Sequence, residues 1–339
     1  MKKLVYLFIV IISLTFTSCT NNDTSSNLEC VYSNSPSFSY QFTFAIEELE
    51  KLIPNEYNDY DNFRFMCLNN NIAYFATVTG TDIWQSKNIF SYDLKTMTFE
   101  HIADVSNLNV LVKQVLKVKN DIYLYSESAS GHTIHLYKNN DFTLLSKDII
   151  TPMVEYADGI GFVEPINNIF VSYDGQNKNI MKSKYPLGSL VDRDEITCFT
   201  QFYNDFWIII LESNKKYEVS SSHPYLLDHV FIIEKETESG LDLLSIYNYD
   251  NKKIGYFEDH NITVFRTNNN DTIFYTNLYN ELHQCTIDLT GQSINISKLD
   301  MNYYVDYPYY DIFSDDNYMI YSYSIKNTSD YIFDVYLKE

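Results

Sequence analysis

The feature that most constrains this chain is a short pattern that recurs along most of its length. A polar Asn or Asp turn is followed within two residues by an apolar or aromatic run. Six copies have equivalent positions at Ile72, Ile122, Ile169, Val230, Ile273 and Tyr318, with spacings of 50, 47, 61, 43 and 45 residues. A repeat of this length predicts supersecondary units that stack on one another and share a core.

A second motif follows each turn by roughly one third of the repeat. An aromatic strand ends in an Asp or Asn turn and leads into another strand, as in Ile89 to Asp93 before Phe99, Leu136 to Asn139 before Phe142, and Ile246 to Asp250 before Ile254. The 31 Tyr and 22 Phe, against 9 Gly and 7 Pro, favour strands. The best helical candidate, Glu47 to Ile53, stops at Pro54 after barely two turns. The chain is therefore predicted to be all-β.

Strands and turns alternating at this period resemble the four-stranded blades of β-propeller proteins. No particular propeller family is matched, because Trp-Asp blade endings and paired kelch glycines are absent and Ser172 to Gly175 is only a fragment of an Asp-box. The spacing favours six blades. The 61-residue interval contains further strand-like runs at Asn204 to Leu211 and Lys216 to Val219, so seven blades are the alternative.

The two ends of the chain predict how the ring closes. The last unit ends at Glu339 after its third strand, Tyr331 to Tyr336, and lacks an outer strand. Phe38 to Phe44 alternates with a period of two, as a half-buried strand does. We expect this N-terminal strand to complete the last blade and remove an open edge, which gives a propeller domain over residues 36–339.

The first residues have the layout of an export signal. Lys2 and Lys3 precede an apolar run from Leu4 to Leu14 and a small polar stretch up to Ser18. The run has 11 residues, whereas a transmembrane helix needs about twenty. Cleavage after export is therefore favoured over a membrane-spanning anchor.

The end of the signal, Phe16-Thr17-Ser18-Cys19, resembles the lipobox of bacterial lipoproteins, with Phe16 where Leu is usual. This resemblance covers about the first twenty residues. It implies removal of residues 1–18, a lipid on Cys19, and attachment to the cell membrane or outer membrane on its non-cytoplasmic side. No apolar residue follows until Leu28, so residues 19–35 are expected to form a flexible tether.

Charge narrows the choice of partners. The net charge is −21, and it becomes −23 when Lys2 and Lys3 leave with the signal. Such a surface repels nucleic acid and anionic lipid head groups, so nucleic acid is excluded as a partner and the lipid itself must hold the protein at the membrane.

Four further cysteines, Cys30, Cys67, Cys198 and Cys285, show no Cys-x-x-Cys spacing, which argues against zinc. Disulfides formed after export and buried free thiols both remain open, with buried thiols favoured for Cys67 and Cys198. His132 and His135 form the closest histidine pair, but a separation of three places them on opposite faces of a strand.

The sequence gives no catalytic, cofactor or metal motif. Ser213 to Lys216 matches Ser-x-x-Lys without its companion motifs, and chance explains it better. The acidic stretches 55–62 and 314–317 suit either calcium or, more simply, turns between strands.

The expected function is a non-enzymatic binding module of the cell envelope, with a protein or a glycan as partner. The alternative is a hydrolase or lyase acting on carbohydrate, which would need two or three carboxylates that converge on the propeller axis. Trp84 and Trp207 could stack on sugars, although packing between strands explains most aromatic residues more simply.

Overall fold

The computed structural model describes most of the chain beyond the N-terminal segment. The described residues are 28–33, 38–80, 84–149, 152–164, 168–191, 197–202, 205–211, 213, 215–219, 224–237, 241–260, 262–265, 271–279, 281–299, 310–315, 317–324 and 331–338. The predicted signal, residues 1–18, and Cys19 lie outside them.

Two strands and a short helix precede the repeats. They are β1 (Glu29–Ser33), β2 (Phe38–Ala45) and α1 (Ile46–Glu50), followed by a 3-10 turn at Asn55–Tyr57.

The remaining strands form seven successive groups, which we number as blades 1 to 7. Blade 1 contains β3 (Asn62–Asn69), β4 (Ile72–Thr79), β5 (Gln85–Asp93) and β6 (Thr98–Asp104), and a 3-10 turn at Ser106–Leu108 follows it. Blade 2 contains β7 (Leu111–Val118), β8 (Asp121–Ser128), β9 (Gly131–Lys138) and β10 (Asp141–Ile149). Blade 3 contains β11 (Val154–Tyr156), β12 (Gly159–Glu164), β13 (Ile169–Tyr173) and β14 (Lys178–Lys182).

The same order continues to the end of the chain. Blade 4 contains β15 (Ser189–Val191), β16 (Thr197–Phe202), β17 (Asp205–Ile210) and β18 (Lys215–Val219). Blade 5 contains β19 (Tyr225–Leu226), β20 (Val230–Glu236), β21 (Leu241–Asn248) and β22 (Lys253–His260). Blade 6 contains β23 (Thr263–Phe265), β24 (Thr272–Thr276), β25 (Leu282–Asp288) and β26 (Ser293–Lys298), and blade 7 contains β27 (Tyr310–Ser314), β28 (Tyr318–Ser324) and β29 (Tyr331–Lys338).

Each blade is an antiparallel sheet in which consecutive strands are neighbours. The first strand of blade 1 contacts the first strands of blades 2 and 7, so the first strands lie innermost. Blade 7 follows blade 6 in the chain but packs on blade 1, which closes the ring. The predicted β-propeller is therefore confirmed as the fold.

The apolar runs seen in the sequence are the second strands of the blades. All five residues of β24 and six of the eight in β4 are buried, because these strands are covered on both sides by neighbouring blades. The core therefore consists of apolar layers between successive blades.

The Asn-rich turns have a stereochemical cause. Asn70 and Asn71 join β3 to β4 with φ values of 51° and 65°, and Asn139 and Asn140 join β9 to β10 with 54° and 61°. Two-residue hairpins with positive φ at both positions match the twist of the strands, and Asn tolerates this region better than most residues.

The described residues form seven sheets, one more than the six blades favoured by the repeat spacing. Second strands begin at Asp121, Gly159, Thr197 and Val230, which are 38, 38 and 33 residues apart. Ile169 begins a third strand, β13, rather than a second strand. Blades 3 and 4 are compact, with first strands of three residues. The structure therefore has three intervals between Ile122 and Val230, where the repeat spacing indicates two.

The predicted closure is confirmed. Strand β2 pairs antiparallel with β29, from Phe38 opposite Lys338 to Ala45 opposite Ile332, and forms the outer strand of blade 7. The ring is thus closed by main-chain hydrogen bonds between the two ends of the chain.

Part of the segment expected to be a flexible tether is structured. Strand β1 lies within residues 19–35 and pairs in parallel with β26 as a fifth, outermost strand of blade 6. Leu28 and Cys30 pack on the core between blades 5 and 6. Packing of these two partly buried side chains favours a folded domain that includes residues before 36.

Candidate interaction surface

The propeller has two ends with different connections. We call the bottom face the end formed by the turns between first and second strands and between third and fourth strands. The top face carries the connections between second and third strands and the connections between blades.

Polar turns of the bottom face link neighbouring blades. The main-chain N–H of Asn71 in blade 1 donates to Asp315 Oδ2 of blade 7 at 2.6 Å. Asp271 of blade 6 accepts from both the main-chain N–H and Nδ1 of His229 in blade 5, each at 2.7 Å. Lys119 of blade 2 pairs with Asp158 of blade 3 at 2.8 Å. These turn residues therefore serve the fold, because each one joins adjacent blades.

Asp315 belongs to 314–317, one of the two acidic stretches whose composition suits calcium or a turn. Its Oδ1 accepts from the main-chain N–H groups of Asn317 and Tyr318, both at 2.9 Å. With Oδ2 bound to Asn71, this carboxylate has the role of an Asx turn and an interblade acceptor. Across the described residues, no group of three or more His, Cys, Asp or Glu is arranged to hold a metal ion.

The described chain begins at the bottom face. The main-chain N–H of Leu28 donates to the carbonyl of Ile254, and that of Glu29 donates to the carbonyl of Gln292. Both acceptors lie at or next to turns between third and fourth strands. Leu28 and Glu29 therefore lie at the bottom face, on the rim of blades 5 and 6.

The top face exposes large apolar side chains on neighbouring blades 6, 7 and 1. We call this set the apolar arc. The exposed fractions are 64% for Tyr279, 56% for Leu52, 54% for Leu278, 48% for Tyr331 and 39% for Trp84. Exposed apolar residues grouped at one end of a fold mark surfaces that contact other molecules.

Main-chain hydrogen bonds hold Leu278 and Tyr279 in place. Asn277 Oδ1 accepts from the main-chain N–H groups of Tyr279 and Glu281 at 3.0 and 3.2 Å, and the N–H of Leu278 donates to the carbonyl of His260 at 2.8 Å. These bonds hold the main chain at Leu278 and Tyr279, and both side chains are more than half exposed. A partner would meet a preorganised contact that needs little further ordering.

Residues 46–61 form a second, acidic component of the top face. This segment contains six carboxylates and one cation, Lys51. Its apolar residues Leu49 and Ile53 are buried between blades 7 and 1, and the Tyr57 ring stacks on His101 at 4.1 Å between centroids. The segment is thus fixed to the propeller while most of its carboxylates face solvent.

Main-chain contacts join the acidic segment, residues 46–61, to the connections that carry Trp84 and Tyr331. Asp61 Oδ2 accepts from the main-chain N–H of Gly80 at 2.8 Å, and Gly80 begins the connection that ends at Trp84. Tyr331 begins β29 at the top of blade 7, where Ile332 pairs with Ala45, the residue before α1. Trp84 and Tyr331 therefore belong to connections on either side of the acidic segment.

A polar cluster lies beside the Tyr279 connection, between blades 5 and 6. His283 lies 4.0 Å from Asp259 and 4.0 Å from Glu281, and its ring is 5.0 Å from that of Tyr275. Burial lowers the pKa of His283, although Asp259 and Glu281 oppose this shift. The pKa of Glu281 is lowered mainly by its hydrogen bond from Lys298, which lies at 2.6 Å. Asp259 and Glu281 lie by different ring nitrogens, so this cluster does not converge on one metal ion.

The inner strands give little support to an acid–base pair at the axis. In the described first strands the carboxylates are Glu155 on β11 and Asp311 on β27. Blades 3 and 7 are separated by at least two other blades, so these two groups are not neighbours in the ring. Burial raises the pKa of Asp311.

The cysteines and tryptophans singled out in the sequence make contacts within the fold. Cys67 and Cys285 are free thiols, and burial raises the pKa of Cys67 to about 12. The side chain of Cys198, for which a buried thiol was favoured, lies outside the part of the chain whose side chains the structure describes. Lys216 lies over the ring of Trp207, with 3.1 Å between its Nζ and the ring centroid. Of the two tryptophans, Trp84 is thus the more exposed on the top face.

Sequence reasoning did not identify Leu278, Tyr279 or Tyr331 as surface residues. It interpreted part of the acidic segment, residues 55–62, as calcium ligands or, more simply, as a turn between strands. The one available signal was the presence of Leu278 and Tyr279 inside an Asn-rich turn sequence, where solvent-exposed positions are usually polar. The described part of the chain also contains no helix that is both long and apolar enough to cross a membrane.

Comparisons with known proteins give similarity at the level of structure. No protein-family model matches the chain, and no curated protein matches it either. Similar solved structures include Hsv2 of Kluyveromyces lactis (TM-score 0.48, 9% identity, 82% of this chain and 97% of that chain). The Dos1 propeller has a TM-score of 0.47 with 8% identity over 89% of this chain and 96% of its own, and the RRP9 WD40 repeats have 0.46 with 6% identity over 81% and 97%. The fold itself rests on the sheet topology described above.

Proposed function

We propose that this protein is a lipid-anchored binding module of the cell envelope, and that the top face of its propeller contacts a protein partner. The observation that carries the proposal is the apolar arc on blades 6, 7 and 1, where main-chain hydrogen bonds hold the exposed residues Leu278 and Tyr279 in place. A protein partner is favoured over a glycan because the arc contains two exposed leucines, Leu52 and Leu278, as well as aromatic rings. Aliphatic side chains bury area against protein but do not stack on sugars.

The lipid anchor is the membrane part of this proposal and is supported by the signal and lipobox resemblance. Labelling cells with radioactive palmitate should mark the wild-type protein and leave the Cys19→Ala variant unlabelled. Labelled Cys19→Ala, or unlabelled wild type, would refute the anchor without bearing on the binding surface.

The binding surface is tested by photo-crosslinking in cells that express the full chain. A photoreactive phenylalanine analogue replaces Tyr279 or Trp84 on the top face, and Met97 or Leu289 on the bottom face as matched controls. Met97 and Leu289 are also exposed apolar residues, with exposed fractions of 58% and 40%. We expect a discrete crosslinked protein from positions 279 and 84 only. Equal adducts from all four positions, or none from the top face, would contradict the proposal.

A further inference from the structure

We infer that the top face at the seam between blades 7 and 1 binds a segment of the partner that is both basic and apolar. This inference rests on the proposed function and specifies the chemistry of its partner. Residues 46–61, Trp84 and Tyr331 form the surface.

The charge of this surface selects a cationic partner. Glu47, Glu48, Glu56, Asp59 and Asp61 are exposed, and the sixth carboxylate, Glu50, accepts a hydrogen bond from the Tyr60 hydroxyl at 3.0 Å. One lysine offsets these six carboxylates within the segment. At physiological salt, electrostatic attraction is screened over about 8 Å. Lys or Arg side chains of a partner that come within this distance of the carboxylates are therefore attracted to them.

The bottom face differs because its acidic turns are already engaged. Asp158 pairs with Lys119, Asp271 binds His229, and Asp315 binds Asn71 across the blades. Two carboxylates of 46–61 accept hydrogen bonds that do not join blades: Glu50 accepts from Tyr60 within the segment, and Asp61 accepts from Gly80 of blade 1. Solubility alone does not require so many carboxylates in one anchored segment.

Apolar contact is the second requirement of the surface. Leu52 is exposed within the acidic segment itself, and Trp84 and Tyr331 are exposed beside it. Aromatic rings next to carboxylates suit arginine, whose guanidinium can stack on the ring while its N–H groups bind carboxylate oxygens. The aliphatic side chains of the same segment would bury area against Leu52.

The surface is also preorganised. Leu49 and Ile53 hold α1 and the following turn against the seam, and Tyr57 stacks on His101. Binding therefore costs little ordering of the propeller side, and the entropic cost falls on the partner segment.

Three short synthetic peptides serve as probes for the full chain purified in a non-ionic detergent. One alternates Arg with Leu, one alternates Arg with Ser, and one alternates Glu with Leu. Affinities are measured by fluorescence anisotropy at low and at physiological salt. We expect the Arg–Leu peptide to bind at least about tenfold more tightly than either of the others, with affinity that falls as salt rises.

Charge-reversal variants locate the site. Glu48→Lys with Glu56→Lys should weaken Arg–Leu binding by about tenfold or more, whereas Glu29→Lys with Glu100→Lys should change it less than about twofold. The control pair makes the same change of charge at exposed positions on outer strands. Thermal unfolding of both variants verifies that each remains folded.

Each other result overturns the inference. Equal binding of the Arg–Leu and Glu–Leu peptides would show apolar contact without charge selection. An equal loss of affinity for the Arg–Leu peptide in both variant pairs would show that binding depends on net charge and not on this site. Absence of binding by all three peptides would show that the surface does not bind a basic segment. In each of these cases the crosslinking pattern of positions 279 and 84 decides separately whether the proposed function stands.

Discussion

At the scale of residues, the stability of the ring depends on a cluster of Phe side chains at the seam between blades 7 and 1. Phe333 of β29 stacks on Phe44 of β2 at 5.0 Å between centroids and lies 5.4 Å from Phe65 of blade 1. One ring thus contacts both ends of the chain. Aromatic pairs of this geometry add to the free energy gained by burial alone.

Phe333→Ala should therefore lower the free energy of unfolding by about 3 to 5 kcal/mol, because it leaves a cavity at a fully packed position. Denaturant unfolding measures the change. Leu144→Ala, at an exposed position on β10, is the control and should change stability by less than about 0.5 kcal/mol. A loss of similar size in both variants would show that the seam has no special role.

Asp334 makes the stability of the folded protein depend on pH. Its side chain is buried in β29 and accepts a hydrogen bond from Thr43 of β2. Burial raises its pKa in the folded state, and hydrogen bonds from Thr43 and Tyr323 oppose the shift without cancelling it. A raised folded pKa means that Asp334 favours folding fully below its unfolded pKa, and that this contribution is lost as pH rises through the folded pKa.

Asp334→Asn removes that titration and keeps an oxygen that can accept from Thr43. The stability of the variant relative to wild type should increase between pH 4 and pH 7, because only wild type must ionise a buried carboxyl group. Chemical unfolding at both pH values measures this difference. A relative stability that is constant or that falls with rising pH would show that burial does not raise the pKa of Asp334.

Residue-level features were only partly predictable from sequence. The turns could be predicted from their Asn residues, because Asn tolerates the positive φ values found at positions 70 and 71. Exposure of Leu278 and Tyr279 was not predicted, because apolar residues in a turn can also fold back onto the core, and only the structure shows that their side chains face solvent. Asp334 lies in a predicted strand, but the sequence does not show that its side chain is on the buried face.

At the scale of elements, β2 is the strand that closes the ring, whereas β1 only adds an outer strand to blade 6. Removal of residues 1–33 should therefore leave a folded propeller with a moderate loss of stability. Removal of residues 1–45 should leave blade 7 with three strands and an open β29 edge that promotes aggregation.

Thermal unfolding and light scattering of the two truncated proteins, beside the full chain, measure these effects. A cooperative, soluble protein that lacks residues 1–45 would show that β2 is dispensable and that closure does not depend on it.

The elements also show where sequence reasoning ends. Closure by Phe38 to Phe44 was predictable because a free third strand and an alternating N-terminal strand complement each other. The number of blades was harder to predict, because blades 3 and 4 have short strands and their spacing falls below the period of the others. Strand β1 was missed because the polar residues before Leu28 suggested that the tether continues further.

At the scale of the whole molecule, the two faces have different roles. Turns on the bottom face join the blades, and Leu28 enters there. The top face carries the apolar arc and the acidic segment. An anchor on Cys19, joined to Leu28 by eight residues, reaches at most about 30 Å. We therefore propose that the bottom face lies towards the membrane and that the top face points away from it.

Energy transfer in a reconstituted membrane tests this orientation most directly. A fluorescent amino acid replaces Tyr279 on the top face or Leu289 on the bottom face of the lipidated chain, and the acceptor is a labelled lipid head group. The strands between the two faces have up to 9 residues, which corresponds to a separation of about 25 to 30 Å. We predict that transfer from position 289 is clearly more efficient than from position 279. Equal transfer from both positions, or stronger transfer from position 279, would contradict the account of a binding face presented away from the membrane.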